Sequence, residues 1–299
     1  MSVYRFVARE RASHHVVTLC RVLGVSRAGF HAWASRGPSP RAAADASLLR
    51  VIEIVHRASR RTYGVPRVHA ELQARGILVG RKRIARLMRA SELVGVHRRR
   101  RGRVVPKAVE PGRSPAPDLV RRNFRRSGPD RLWVADITYL PTAAGFLYLA
   151  TVLDAWSRRI VGWSMAPDLR TELVTDALDA AVRARRPRPG LIFHSDRGTQ
   201  YTSLAFADRL ADAGIAASVG APGSAYDNAL AESFFASLET ELIDRTAWAT
   251  HDQARLDVFD WLEAFYNPVR RHSSLGNLSP IEFERRYRQA DNPITTARP

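Results

Sequence analysis

The apolar positions of this chain change their period near residue 130, from helical spacing to strand-like alternation. In residues 14–34 (HHVVTLCRVLGVSRAGFHAWA), Leu19, Val22, Leu23, Phe30 and Trp33 recur at helical spacing around a Gly24-Val25-Ser26 turn. Ser26 is a favourable N-cap, so two short helices are predicted, as in a helix-turn-helix or equally in a small bundle. RGPSPRAAA (36–44) reads as a linker-like break. Leu48–Ser59 predicts an amphipathic helix, and Pro66 suits the first turn of another that runs to about Arg75. Gly76–Gly80 then makes a turn before a helix over Arg81–Ala90, with Ile84, Leu87 and Met88 on one face. Residues 96–130, rich in Arg, Pro and Gly, show no sustained period and read as an extended basic linker.

Beyond that segment, Leu132–Leu140, Phe146–Asp154 and Arg159–Met165 form apolar or alternating runs joined by short turns, which predicts a three-stranded meander. Helices are predicted over Thr171–Arg185, Ser203–Ala213, Asn228–Ile243 and Asp252–Phe265, and short strands over Leu191–Ser195 and Ile215–Val219. Gly220–Asp227 reads as a flexible loop. Three antiparallel strands followed by αβαβα is the order of an α/β, ribonuclease H-like fold. That fold is a mixed five-stranded sheet flanked by helices, here preceded by small all-α, helix-turn-helix-like units.

Charge sharpens this picture. The 299 residues accommodate one large domain or two to three modest ones, and carry a formal net charge of +18. Residues 1–130 hold 29 Arg and Lys against 8 Asp and Glu, whereas residues 131–299 hold 18 against 21. The basic excess therefore belongs to the N-terminal part and predicts a polyanionic partner, nucleic acid first. Codon preference accounts for 45 of the 47 basic residues being Arg, but not for the asymmetry. Arg81, Lys82, Arg83, Arg86 and Arg89 cover one face of the last predicted helix of this part, as on a groove-reading helix or a solvated face. The Arg98, Arg99, Arg100, Arg101 run could follow a phosphate backbone. A single cysteine, Cys20, excludes a disulfide framework and fits a reducing cytosol. No run of about 18 apolar residues and no signal peptide is present, so a soluble, cytoplasmic chain with no membrane role is expected.

Three carboxylates carry the chemistry. Asp136 sits mid-strand in LWVADITYL, Asp196 ends the strand in LIFHSDRGTQY, and Glu232 follows, with 35 residues between, on the helix of YDNALAESFFASLE. Such a set suits a hard divalent cation, and a pair of such ions is the usual machinery of phosphodiester chemistry. In the expected topology the first and fourth strands are parallel neighbours, which brings Asp136 and Asp196 together near their C-terminal ends. Glu232, in the first turn of its helix, swings in from above. Asp154 is too far along the second strand and suits the Asp-Ala-Trp-Ser turn. Glu239 lies about 10 Å along the helix from Glu232. His194 reads as a hydrogen-bonded structural residue. No Gly-x-Ser-x-Gly elbow and no Walker loop occurs.

WVADITYL, LDAWSRRIVGW, HSDRGTQYTS, YDNALAESFFASLETEL and YNPVRRHSSLGNLSPIEFE resemble the catalytic half of DDE transposases of the insertion-sequence family three, which are similar to retroviral integrases. CRVLGVSRAGFHAW and RTYGVPRVHAELQARGILVGRKRIARLMR resemble the same family's helix-turn-helix-like segments. The resemblance implies that Asp136, Asp196 and Glu232 form a catalytic triad holding Mg2+ or Mn2+, two ions in all. It further implies cleavage that frees a 3′-OH at the transposon end, and strand transfer by that hydroxyl. The implied partners are double-stranded DNA (transposon ends and target), a multimer of the chain on DNA, and the DNA-binding protein of the element's upstream frame. Glu239 departs from the family's usual Lys or Arg and reverses the local charge; Arg270, Arg271 and His272 are offered instead as phosphate contacts. The expected division is a helical arm over 1–45, a basic DNA-binding domain over 46–100, a linker over 101–125, an integrase-type core over 126–287 and a tail over 288–299. Two rival readings are a ribonuclease H-type nuclease without strand transfer and a catalytically inactive DNA-binding remnant.

Overall fold

Alternating apolar residues in the meander leave each strand two faces to bury, and the structure, a computed structural model, covers both. It describes residues 3–97, 116–220 and 229–291; the Arg98–Arg101 run, most of the predicted 220–227 loop and the end of the predicted tail lie outside the described residues. Strands β1 (Leu132–Thr142), β2 (Gly145–Asp154) and β3 (Ile160–Ala166) pair antiparallel, and β4 (Ile192–Ser195) and β5 (Ala216–Val219) add parallel strands on the far side of β1. The order is β3-β2-β1-β4-β5, the mixed sheet of a ribonuclease H-like fold.

Helix α7 (Thr171–Arg185) packs on β2 and β3, and α8 (Leu204–Asp212) packs beside β5. With Trp133, Ala135, Phe193 and Phe206 they build the core of one sheet face. The approach of α7 to β3 is close: a Cβ on Gly162 would sit 2.3 Å from the Ala177 carbonyl oxygen, so only glycine fits there. The opposite face, carrying Leu132 and Val134, is covered by Ala231 of α9 (Ala229–Glu241) and by Val120. α10 (His251–Asp260) continues into a π-helical stretch, Trp261–Tyr266, that buries Trp261, Leu262, Phe265 and Tyr266.

The N-terminal helices form two units. α1 (Val3–Glu10), α2 (Val16–Val22) and α3 (Arg27–Ser35) enclose a small core of Val7, Cys20 and Phe30, and the Ser26 side chain accepts from the Gly29 N–H at 2.9 Å as expected of an N-cap. α4 (Pro40–Ala58), α5 (Val65–Ala74) and α6 (Arg81–Ala90) contribute Ile52, Val55, Val68, Leu72 and Ile84 to the same apolar cluster as Trp261 and Phe265. The second unit is therefore docked on the catalytic sheet's outer helices. Half-buried ion pairs reinforce it, Arg67–Glu241 at 3.2 Å and Arg271–Glu71 at 2.6 Å, together with the surface pair Arg60–Asp260 at 2.6 Å.

Three sequence expectations are corrected. The 36–44 break is the start of α4: Ser39 caps it by accepting from the Ala42 N–H at 3.1 Å, and Pro40 opens the first turn. The boundary drawn at 45/46 thus falls inside a helix. α11 (Pro280–Asp291) likewise crosses the boundary drawn at 287/288. The C-terminal part of the supposed linker lies on the core, with Val120 only 2 % exposed and the Leu119 N–H donating to Ser218 Oγ at 3.0 Å.

The carboxylate of Glu241 grips the Arg270 guanidinium with both oxygens, at 2.7 and 2.8 Å, and both side chains are almost wholly buried. A buried charge deprived of its partner keeps its desolvation cost. Glu241→Gln is therefore expected to lower unfolding stability by about 3–5 kcal/mol, read from urea denaturation of the full chain.

Candidate active site

The site begins with strand register. β1 and β4 run parallel with Val134 opposite His194. Asp136 lies two residues further along β1, and Asp196 is the first residue past the end of β4 at Ser195; neighbouring strands lie about 4.8 Å apart. Leu132, Val134 and Asp136 alternate onto one face, the face under Ala231 of α9. Each carboxylate is oriented by backbone: Asp136 Oδ1 accepts from the Ile137 N–H at 2.9 Å, and Asp196 Oδ1 from the Gly198 N–H at 2.9 Å. A Cβ on Gly198 would come within 3.0 Å of that Asp196 oxygen, so glycine suits the turn.

Tyr201 reports on both acids. Its ring is buried against Phe193 and Phe206, and its hydroxyl has no hydrogen-bond partner among the described residues. Burial first, then the negative charges of Asp136 and Asp196, raise its pKa well above the ordinary phenol value. Tyr201 lies within the HSDRGTQYTS motif, yet apolar spacing offered no reason to single it out.

Glu232 stands in the first turn of α9 and is exposed. Among the described residues no three acidic, histidine or cysteine side chains are gathered closely enough to hold a metal ion. Parallel pairing of β1 with β4 sets the stretches that carry Asp136 and Asp196 side by side, and α9, which carries Glu232, is seated over the same face. Two aligned carboxylates remain a hard oxygen-donor pair of the kind that Mg2+ or Mn2+ takes.

The other acids and bases fall into place. Asp154 is wholly buried in the β2–β3 turn, where its carboxylate accepts from the N–H groups of Trp156, Ser157 and Asp130 and from the Ser157 hydroxyl. That is the turn role expected of it. His194 is buried, with Nδ1 2.9 Å from Ser218 Oγ and its ring edge-on to Phe124, a structural residue. Glu239 is half-buried on α9.

The basic residues divide. Arg81 and Lys82 are exposed at the start of α6, while Arg83 and Arg86 are held by Asp45 of α4 at 2.7 and 2.6 Å. The expectation of phosphate contacts from the C-terminal motif is corrected. Arg270 is 4 % exposed and committed to Glu241, and Arg271 is spent on Glu71 and the Asn277 carbonyl. Burial and the neighbouring Arg270, Arg67 and Arg158 push the His272 pKa down to about 2, which leaves the ring neutral and unsuited to an anion.

Comparison with known proteins agrees with this architecture. Residues 126–225 and 213–280 match two family models described as integrase core domain, and residues 43–101 match one described as HTH-like domain. These define an integrase-core protein with a helix-turn-helix-like unit. The transposase InsF for insertion sequence IS3A of Escherichia coli (strain K12) is 38% identical over 284 residues, covering 94% of this chain and 98% of that protein. The insertion element IS600 uncharacterized 31 kDa protein of Shigella sonnei is 38% identical over 271 residues, covering 91% of this chain and 99% of that protein. Among solved structures, the HTLV-2 integrase catalytic core domain in complex with magnesium is 15% identical with a TM-score of 0.41, covering 54% of this chain and 99% of that one. The chain belongs to the IS3 family of insertion-sequence transposases.

Burial raises the Asp154 pKa from 3.8 to about 6. Since the folded state then holds a proton that the unfolded chain has lost, stability falls as pH rises from about 4 to about 6. The fall is of order 3 kcal/mol. Asp154→Asn should flatten this slope, which paired denaturation curves of wild type and variant at pH 4, 5 and 7 will show.

Proposed function

We propose that the chain cleaves the ends of an insertion sequence to free a 3′-OH and joins that hydroxyl to target DNA, using Asp136, Asp196 and Glu232 with divalent metal. The observation that carries this reading is the parallel pairing of β1 with β4, Val134 opposite His194, with Asp136 two residues further along β1 and Asp196 just past the end of β4, in a chain of this family. Asp136 and Asp196 would hold Mg2+ or Mn2+ between them, and Glu232 would complete the ligand set from α9. Divalent metal held by these three residues would supply positive charge to activate the attacking water or 3′-OH and to stabilise the leaving oxygen.

The chain's own residues prepare that chemistry. Backbone N–H groups of Ile137 and Gly198 each donate to one oxygen of an aspartate, Asp136 and Asp196 respectively. Tyr201 packs with Phe193 and Phe206 in the core of the opposite sheet face. Arg81 and Lys82 open the groove-facing helix, and Asp45 keeps Arg83 and Arg86 extended along it. DNA is the partner of this surface, with a multimer of the chain and the upstream-frame protein assembled on it in the cytoplasm. Among the described residues no helix is long and apolar enough to cross a membrane.

Labelled element ends incubated with the protein and Mg2+ should yield both nicked and joined strands. Hydrolysis products without joined strands would instead identify a nuclease. Asp136→Asn and Asp196→Asn should each lower cleavage at least about a thousandfold while DNA affinity stays within about twofold. Mg2+ should raise the melting temperature of the wild type and not of Asp136→Asn, because only a folded, intact site binds it. Undiminished cleavage by Asp136→Asn refutes the assignment.

A further inference from the structure

A cavity of about 500 Å³ opens where the segment before β1 crosses the β2–β3 turn, a volume within the range of about 300–1,000 Å³ common to ligand sites. Arg122, Arg125 and Arg126 line it from the segment, and Arg158 from the turn; Phe124 and Trp156 give it aromatic walls. None of its lining residues is acidic.

Arg158 is the telling member. It is half-buried, in a left-handed backbone conformation (φ 62), and its guanidinium has no ion-pair or hydrogen-bond partner among the described residues. The next residue, Arg159, is treated differently: Glu284 holds it at 2.9 Å, and holds Arg185 as well at 2.8 Å. Burial pushes the Arg158 pKa below its ordinary value, the mark of a cation short of solvation. Arg126 is short in the same way, since its guanidinium donates to the backbone carbonyls of Asn123 and Arg125. An anion in the cavity would relieve both.

Position supplies the identity of the anion. Phe124 and Ala155 pack with Leu132 and Val134, so the cavity borders the face from which Asp136 projects. The Ala155 N–H donates to the Leu132 carbonyl at 2.9 Å, which puts the cavity at the level of Leu132, four residues before Asp136. At about 3.3 Å per residue the two sites are roughly 13 Å apart along the strand. A DNA strand advances about 3.4 Å per nucleotide, so this distance corresponds to about four nucleotides.

We propose that this cavity is a second phosphodiester site, in which Arg122, Arg125, Arg126 and Arg158 clamp the DNA backbone about four nucleotides from the bond cleaved at Asp136 and Asp196. The clamp rests on the proposed function only for the position of the cut.

Full-length protein and a fluorescein-labelled 30-bp duplex of arbitrary sequence test it, with affinity measured across a salt series. For every phosphate no longer neutralised, the slope of log K against log salt should shrink by about 0.9. Arg125→Gln/Arg126→Gln should therefore flatten it by between about one and two units and bind about tenfold more weakly at low salt. Both residues sit on an irregular surface segment, so the variant should keep its melting temperature; Arg158→Gln should show a smaller flattening, that of a single phosphate. Arg183→Gln, on α7 across the sheet, should bind as wild type. An unaltered slope in the folded double variant overturns the clamp. So does an equal flattening in Arg183→Gln, which would mark a general charge effect. Failure of the catalytic reading shows separately, as cleavage surviving in Asp136→Asn, and leaves the slope measurement standing.

Discussion

Parallel pairing of β1 with β4 sets the stretches that carry Asp136 and Asp196 side by side, and most of the molecule answers to that pairing. Isolated carboxylates in an apolar strand are costly, and two side by side more so. The fold meets the cost with backbone donors at Ile137 and Gly198 and with a rigid aromatic underlayer of Phe193, Tyr201 and Phe206.

α9 joins two otherwise separate tasks. Its first turn carries Glu232 over the carboxylate face, and its last residue, Glu241, is shared by Arg270 behind the sheet and Arg67 of the helix-turn-helix-like unit. The DNA-binding helices thus rest on the far end of the very helix that bears the third acid. Trp261, Phe265 and Tyr266 widen that seat, because the π-helical stretch turns several large side chains inward at once.

The sheet was legible because its strands alternate and its turns carry Gly or Asp: Gly145, in a left-handed conformation, closes the β1–β2 turn, and Asp154 collects the donors of the next turn. Thr171–Arg185 was read to the residue. Helix starts at Ser39-Pro40 and Ser279-Pro280 were missed although both carry a cap followed by proline; in each, the serine side chain accepts from a backbone N–H three residues on. The parallel pairing of β1 with β4 followed from topology. The burial of Arg270 did not, since its partner Glu241 lies 29 residues away and no local period announces it. For the same reason VRRNFRRSGPD looked like solvated linker: Val120 and Phe124 find their apolar neighbours only in the folded sheet.

The shared interior of α4–α6 and the outer helices has a bearing on inheritance. Modules connected by a free tether can be exchanged between elements, each keeping its own solubility. Here, severing the helical unit would strip the cover from Trp261 and Phe265 and strand the positive charge of Arg271 without Glu71. Recognition and catalysis in this lineage are consequently constrained to diversify together, through matched changes on both sides of one seam.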